Sequence, residues 1–199
     1  MNIISKLKKN WSNRSLYGKI TDILFYLLIL LMIIPGSRKT IATAVNKIAI
    51  QRPQIIKKQI QGTLAENDYN WKLVAPDGNL VDLHEFKDKV IFLNFWATWC
   101  PPCRAEMPNI QKLYSEYHDR IAFLLVTSEE PAVVQKFMNE KGFNLPSYQP
   151  ATNPPPALQS SALPTTYIIN RQGEVVFKKT GAFRWDSQKA SQFLEELLR

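Results

Sequence analysis

The stretch that decides the fold is VIFLNFWATWCPPCRAEMP, residues 90–108. Its first six residues form a short, mostly apolar run of branched and aromatic side chains, which predicts a buried strand. A helix is predicted to follow at once and to extend to Tyr117, with its apolar residues on one face. Cys100 and Cys103, the two cysteines of the chain, therefore lie where a strand ends and a helix begins.

The position of the C-x-x-C pair at a helix N-terminus indicates its chemistry. The partial positive charge at a helix N-terminus favours a thiolate over a thiol, and a C-x-x-C in that place is typical of a redox site. We predict Cys100 as the exposed nucleophile and Cys103, inside the first turn, as the buried thiol that resolves the mixed disulfide. Pro101 and Pro102 between them lack N–H groups, so they tune the redox potential, in a direction that the sequence leaves open.

Other uses of two cysteines fit less well. A structural zinc site needs about four ligands, and the chain offers only His84 and His118 besides the cysteines. Attachment of a c-type haem needs a histidine directly after the second cysteine, where Arg104 stands. A purely structural disulfide across so short a loop would constrain the unfolded chain very little. We therefore expect no metal and no cofactor.

Residues 70–199 resemble the TlpA/ResA-like membrane-anchored thiol-disulfide oxidoreductases of the thioredoxin superfamily. The resemblance rests on W-A-x-W-C-x-x-C at 96–103, on the acidic-x-Pro element Glu106 to Pro108, and on Pro-Thr-Thr at 164–166. It implies an α/β fold with a central mixed sheet flanked by helices. It also implies an enzyme that exchanges disulfides, with disulfide-bearing proteins as substrates and a membrane or soluble thiol as electron donor.

The resemblance also assigns residues around the cysteines. Pro164 matches a cis-proline that faces the disulfide, where Leu163 would offer its backbone to a substrate; an ordinary proline at a strand start is the alternative. Glu106 matches an acid that modulates the thiols, against the alternative of a solvated helix residue. Asn94 stands where thioredoxin has a buried acid. Trp99 is expected at the surface beside the first cysteine.

The strands and helices predicted outside the cysteine motif agree with that fold. A turn sequence, Pro76-Asp77-Gly78, lies between two short apolar segments and predicts an antiparallel hairpin ahead of the central strand. The β-α-β order that follows requires a parallel, right-handed crossover. The predicted elements are strands over 71–74, 80–83, 90–95, 121–127, 165–170 and 174–179, and helices over 101–117, 131–141 and from about 187 onward.

The positive charge of the chain is concentrated in its N-terminal third. Residues 1–61 carry 11 Lys and Arg and one acid, whereas residues 62–199 carry 14 Lys and Arg and 16 Asp and Glu. The folded domain therefore lacks the basic excess typical of nucleic-acid binding, and no nucleic-acid partner is expected. The basic residues instead flank an uncharged run, Ile23 to Ile34, and are expected to meet anionic lipid headgroups.

From this pattern we predict four regions: a basic cytoplasmic N-terminus (1–19), a transmembrane anchor (20–37), a linker or amphipathic surface helix (38–69) and the thioredoxin-like domain (70–199). A cleaved signal peptide is the alternative to the anchor. The basic residues on its two sides barely differ in number, so the location of the domain outside the cytoplasm rests on the resemblance.

Two further functions compete with disulfide reduction. A redoxin-type peroxidase would use a catalytic cysteine with a nearby threonine in a different local pattern. A copper-delivery protein of the same fold would need a distant histidine near Pro164, and no histidine follows His118. The C-x-x-C pair favours a thiol-disulfide oxidoreductase that reduces protein disulfides through Cys100 and Cys103.

Overall fold

The computed structural model describes residues 15–33 and 60–199, which belong to two separate compact units of the chain. The N-terminal unit is represented by one helix, α1 (Leu16–Ile33). This helix begins four residues before the predicted anchor (20–37) and includes Lys19 besides Asp22; the end of the predicted anchor lies outside the described residues. Of the residues described, none belongs to a helix long and apolar enough to cross a membrane, so the predicted transmembrane helix is not supported. Most of the predicted cytoplasmic N-terminus (1–19) and most of the predicted linker (38–69) lie outside the described residues.

Residues 72–180 form a seven-stranded mixed sheet in the order β2-β1-β5-β4-β3-β6-β7. Strands β3, β4 and β5 run parallel to one another, and the remaining neighbours pair antiparallel. The strands are β1 (Lys72–Val74), β2 (Leu80–Asp82), β3 (Val90–Phe95), β4 (Ile121–Val126), β5 (Ser147–Pro150), β6 (Thr165–Ile169) and β7 (Val175–Thr180). The helices of this domain are α2 (Pro101–Tyr117), α3 (Pro131–Lys141) and α4 (Gln188–Leu198), with short 3-10 helices at Glu66–Asn70, Leu83–Phe86 and Pro156–Leu158.

Strand β3 lies between β4 and β6, and it positions the cysteines. Its side chains alternate between two buried clusters, as the period-two geometry of a strand requires. Phe92 packs in the cluster with α2 and α4, whereas Ile91 and Leu93 pack in the cluster on the other face of the sheet. Because both faces are covered, the strand is buried almost throughout, and the chain leaves it directly into the cysteine motif.

Two features differ from the sequence prediction. Strand β5 lies between α3 and β6, where no strand was predicted; it pairs with β4 on one side and β1 on the other. The domain also begins earlier than Asn70, because the backbone of Gln61 already donates a hydrogen bond to β7 at Val175 and Leu64 is buried. The other strands and helices lie within about two residues of their predicted bounds.

Candidate active site

The two cysteines form a disulfide at the start of α2, with their Cα atoms 5.3 Å apart. Cys100 is the residue that caps the helix, and its Sγ accepts a hydrogen bond of 3.2 Å from the backbone N–H of Cys103. A cap residue normally satisfies a free N–H of the first turn with a side-chain oxygen, and here a sulfur occupies that place. In the reduced protein the same N–H and the helix dipole would stabilise a thiolate on Cys100.

Both cysteines are buried in this oxidised form, so the prediction of an exposed Cys100 is wrong for this state. Cys103 is fully buried and Cys100 is only 3% exposed. Cys100 nevertheless lines a hollow of about 450 Å³, together with Trp99, the two prolines of the motif and residues 160–163. Access to the disulfide is therefore from this hollow, and Cys103 does not line it.

Trp99 and Leu163 both line this hollow. Trp99 is 61% exposed, as expected of a residue at the surface beside Cys100, whereas Trp96 is buried in the core. The Leu163–Pro164 peptide bond is cis. The carbonyl of Pro164 accepts a hydrogen bond from the N–H of Gly181, which ties the start of β6 to the end of β7. This hydrogen bond holds the start of β6 in place, and with it Leu163, the preceding residue, which lines the hollow.

Glu106 is fully buried, so the alternative of a solvated helix residue is wrong. Its Oε1 accepts a hydrogen bond from Asn94 Nδ2 at 3.0 Å, and its Oε2 accepts one from the backbone N–H of Phe183 at 2.9 Å. Asn94 also donates to Thr166 Oγ1 at 2.8 Å. A polar cluster therefore joins β3, α2, β6 and the segment after β7.

Burial raises the pKa of Glu106 to about 8, because desolvation disfavours the carboxylate. The hydrogen bonds from Phe183 and Asn94 act in the opposite direction, and so does the Trp185 indole. The Trp185 N–H forms no hydrogen bond within the described part of the chain, so Phe183 and Asn94 are the donors that hold the carboxyl group. Glu106 is thus a carboxyl group that changes charge near neutral pH, one helical turn after Cys103.

Glu129 is a site residue that the sequence analysis missed. It follows β4, and its carboxylate accepts hydrogen bonds from both the backbone N–H and the hydroxyl of Thr98, the latter at 2.6 Å. Thr98 lies within the W-A-T-W-C sequence, so this carboxylate fixes the loop that carries Cys100. A glutamate after a strand has no local pattern that distinguishes it from a solvent-exposed residue, and only the parallel pairing of β3 with β4 brings it here.

The two histidines lie apart from the cysteines, in surface positions. His84 Nε2 lies 3.0 Å from Glu66, and His118 Nδ1 lies 3.2 Å from the carbonyl of Tyr114. Within residues 15–33 and 60–199, no three histidine, cysteine or acidic side chains are grouped so that they could hold a metal ion.

The Redoxin family model matches residues 60–197. The chain belongs to the Redoxin family. Its relatives include the thiol-disulfide oxidoreductase ResA of Halalkalibacterium halodurans, 37% identical over 133 residues, which cover 65% of this chain and 74% of the relative. ResA of Bacillus subtilis is 34% identical over 115 residues, covering 56% of this chain and 64% of the relative.

The solved structures agree on the fold. The thioredoxin domain of a thiol-disulfide oxidoreductase from Bacteroides vulgatus superposes with a TM-score of 0.55 at 16% identity, covering 73% of this chain and all of the other. This redoxin-family chain therefore has a thioredoxin-like fold. With a C-x-x-C disulfide at the start of α2 and ResA relatives at these identities, it is a thiol-disulfide oxidoreductase of the TlpA/ResA-like group.

Proposed function

We propose that this protein reduces disulfides in other proteins, with Cys100 as the attacking thiol and Cys103 as the resolving thiol. The observation that carries the proposal is the position of Cys100, at the tip of α2 and lining the hollow, with Cys103 buried behind it. The thiolate of Cys100 attacks a substrate sulfur, the substrate disulfide breaks and a mixed disulfide forms. Cys103 then attacks Cys100, which releases the second substrate thiol and leaves the enzyme disulfide.

The reducing direction is supported by the few donors at Cys100. The first two positions of α2 are prolines, which have no N–H, so the N–H of Cys103 is the one backbone donor to Cys100 Sγ among the described residues. A dithiol whose thiolate is strongly stabilised makes an oxidant, because the reduced form is favoured. Weak stabilisation in buried surroundings favours the disulfide instead, and such a pair donates its electrons to substrates.

The redox equilibrium of the pair tests the direction. In a glutathione buffer poised at about −220 mV, we expect Cys100 and Cys103 to be mostly disulfide, and the pre-reduced protein to reduce insulin disulfides. Alkylation of free thiols followed by mass determination measures the equilibrium. A pair that stays mostly dithiol in this buffer would show an oxidant. Consumption of hydrogen peroxide at a rate above that of insulin reduction would favour the redoxin-type peroxidase.

We also propose that the domain works outside the cytoplasm and that the N-terminal segment holds it at the membrane. The support is the uncharged run Ile23 to Ile34 with its basic flanks, next to a domain of slightly negative charge. Disulfide-bearing proteins and a thiol electron donor are the partners that this role requires.

The location is tested in intact cells of an expressing bacterium. We expect an impermeant maleimide to label the reduced cysteines and alkaline carbonate to leave the protein in the membrane fraction. A mature N-terminus after Ala44, found by mass spectrometry, or protection of the cysteines from the reagent in intact cells would contradict this location.

A further inference from the structure

A second hollow adjoins the one at Cys100. It measures about 400 Å³, and it shares the lining residues Trp99, Ser160 and Leu163 with the hollow that Cys100 lines. It extends from the redox motif to the residues after β4 and to the proline-rich loop at residues 150–156. Its remaining lining residues are Phe95, Trp96, Ala97, Val126, Thr127, Ser128, Glu129, Pro150 and Pro154. A substrate segment bound at Cys100 can therefore extend past Trp99 into this second hollow.

Among the residues that the structure describes, Glu129 is the one charged side chain that lines either hollow. Its carboxylate contacts Thr98, two residues before Cys100, and two residues of chain span at most about 7 Å. Its charge therefore lies beside the loop that carries Cys100. Among the described residues, no lysine or arginine lies within ion-pair distance of this carboxylate.

The carboxylate also keeps the capacity to accept a further hydrogen bond. Its known donors are the N–H and hydroxyl of Thr98 and the more distant hydroxyl of Thr127, at 3.5 Å. An ionised carboxylate has about four acceptor positions, so one remains for a substrate. Glu129 is partly exposed toward the hollow, where Lys or Arg could pair with it.

We propose that Glu129 selects substrates in which a lysine or arginine lies near the disulfide cysteine. The inference rests on the proposed function and names the class of protein segment that the site takes. A basic side chain in the second hollow lies beside the carboxylate while the substrate sulfur lies at Cys100. An acidic side chain in the same place is repelled, and this repulsion makes part of the specificity.

The test uses the pre-reduced protein and a panel of peptide disulfides in single turnover, so that no electron donor is needed. The peptides are identical except for Lys, Gln or Glu, placed two residues before or two residues after the reacting cysteine. Each second-order rate constant is divided by that of the same peptide with dithiothreitol, which removes differences in intrinsic reactivity. The proteins compared are the wild type, Glu129→Gln and the matched control Glu130→Gln, whose residue is exposed and lines neither hollow.

In the wild type we expect the Lys peptide to react about three- to tenfold faster than the Glu peptide in at least one placement, with Gln between them. Glu129→Gln should bring this ratio close to one, and Glu130→Gln should preserve it. Raising the ionic strength from about 0.02 M to 0.3 M should shrink the wild-type ratio, because salt screens partly exposed charges.

Three results would overturn the inference. A wild type that reduces all peptides equally would leave the proposed function intact and remove the selection. A Glu129→Gln variant that slows every peptide by the same factor would show that Glu129 only holds the Thr98 loop. A wild type that reduces none of the peptides would contradict the proposed function itself, and the inference with it.

Discussion

Replacing Glu106 by glutamine is expected to remove a loss of stability that the wild type shows as the pH rises from about 4.5 to about 8. The folded state binds the Glu106 proton more tightly than the unfolded state, because burial raises the pKa to about 8. Unfolding in this window releases the proton, so the free energy of unfolding falls as the pH rises and becomes level above about pH 8. The total fall is at most about 5 kcal/mol.

A glutamine keeps the shape of the side chain and stays neutral at every pH. It can accept the N–H of Phe183, and its amide can face Asn94, whose buried Oδ1 has no hydrogen-bond partner among the described residues. We expect the variant to be about 1 kcal/mol less stable than the wild type near pH 5, where the wild-type carboxyl is also neutral. Near pH 9 it should be the more stable protein.

Urea unfolding of the oxidised proteins at pH 5, 7 and 9 measures these differences. Glu116→Gln is the matched control, because Glu116 lies on the same helix and is exposed. Parallel pH profiles for the wild type and Glu106→Gln would contradict the account.

In the reduced proteins, a charged Glu106 one turn from Cys103 should raise the pKa values of the thiols, so the thiols of Glu106→Gln should titrate at lower pH than those of the wild type. An unchanged titration would leave Glu106 with a structural role alone.

The parts of the fold that local sequence patterns determine could be predicted from the sequence. Strand β3 and helices α2 and α3 agree with their predicted bounds within a residue, because each has a period, a proline start or a glycine stop. Strand β5 was missed since its sequence, Ser-Tyr-Gln-Pro, has no apolar alternation. Its strand geometry comes from pairing with β4 and β1, a tertiary effect that no local window contains.

The residues of the candidate site likewise fall into those that local sequence patterns identify and those that only tertiary contacts bring together. The cysteine pair, Pro164 and Glu106 belong to short motifs and were found by spacing or by resemblance. The contact of Glu129 with Thr98 joins residues that are 31 positions apart, and residues 160–163, about 60 positions after Cys100, line the same hollow as that cysteine. Both depend on which strand ends lie side by side, and the sequence pattern does not state the distances between them.

Replacing Cys100 by alanine is expected to lower the rate of disulfide reduction by at least about a thousandfold, because no other thiolate lines the hollow. Cys103→Ala should still react once with a substrate but should not release it, since the resolving thiol is gone. Both cysteines are at least 97% buried in the oxidised form, so the two substitutions remove similarly buried thiols and are comparable in their effect on packing. Equal melting temperatures of the two reduced variants control for folding.

The most direct test of the central claim is to trap mixed disulfides in cells that express either variant. The Cys103→Ala protein should accumulate complexes with other proteins that migrate as larger species on non-reducing gels and disappear with dithiothreitol. The Cys100→Ala protein should accumulate few, because Cys103 does not line the hollow that substrates enter. Equal trapping by both variants, or trapping by neither, would contradict the assignment of Cys100 as the attacking thiol.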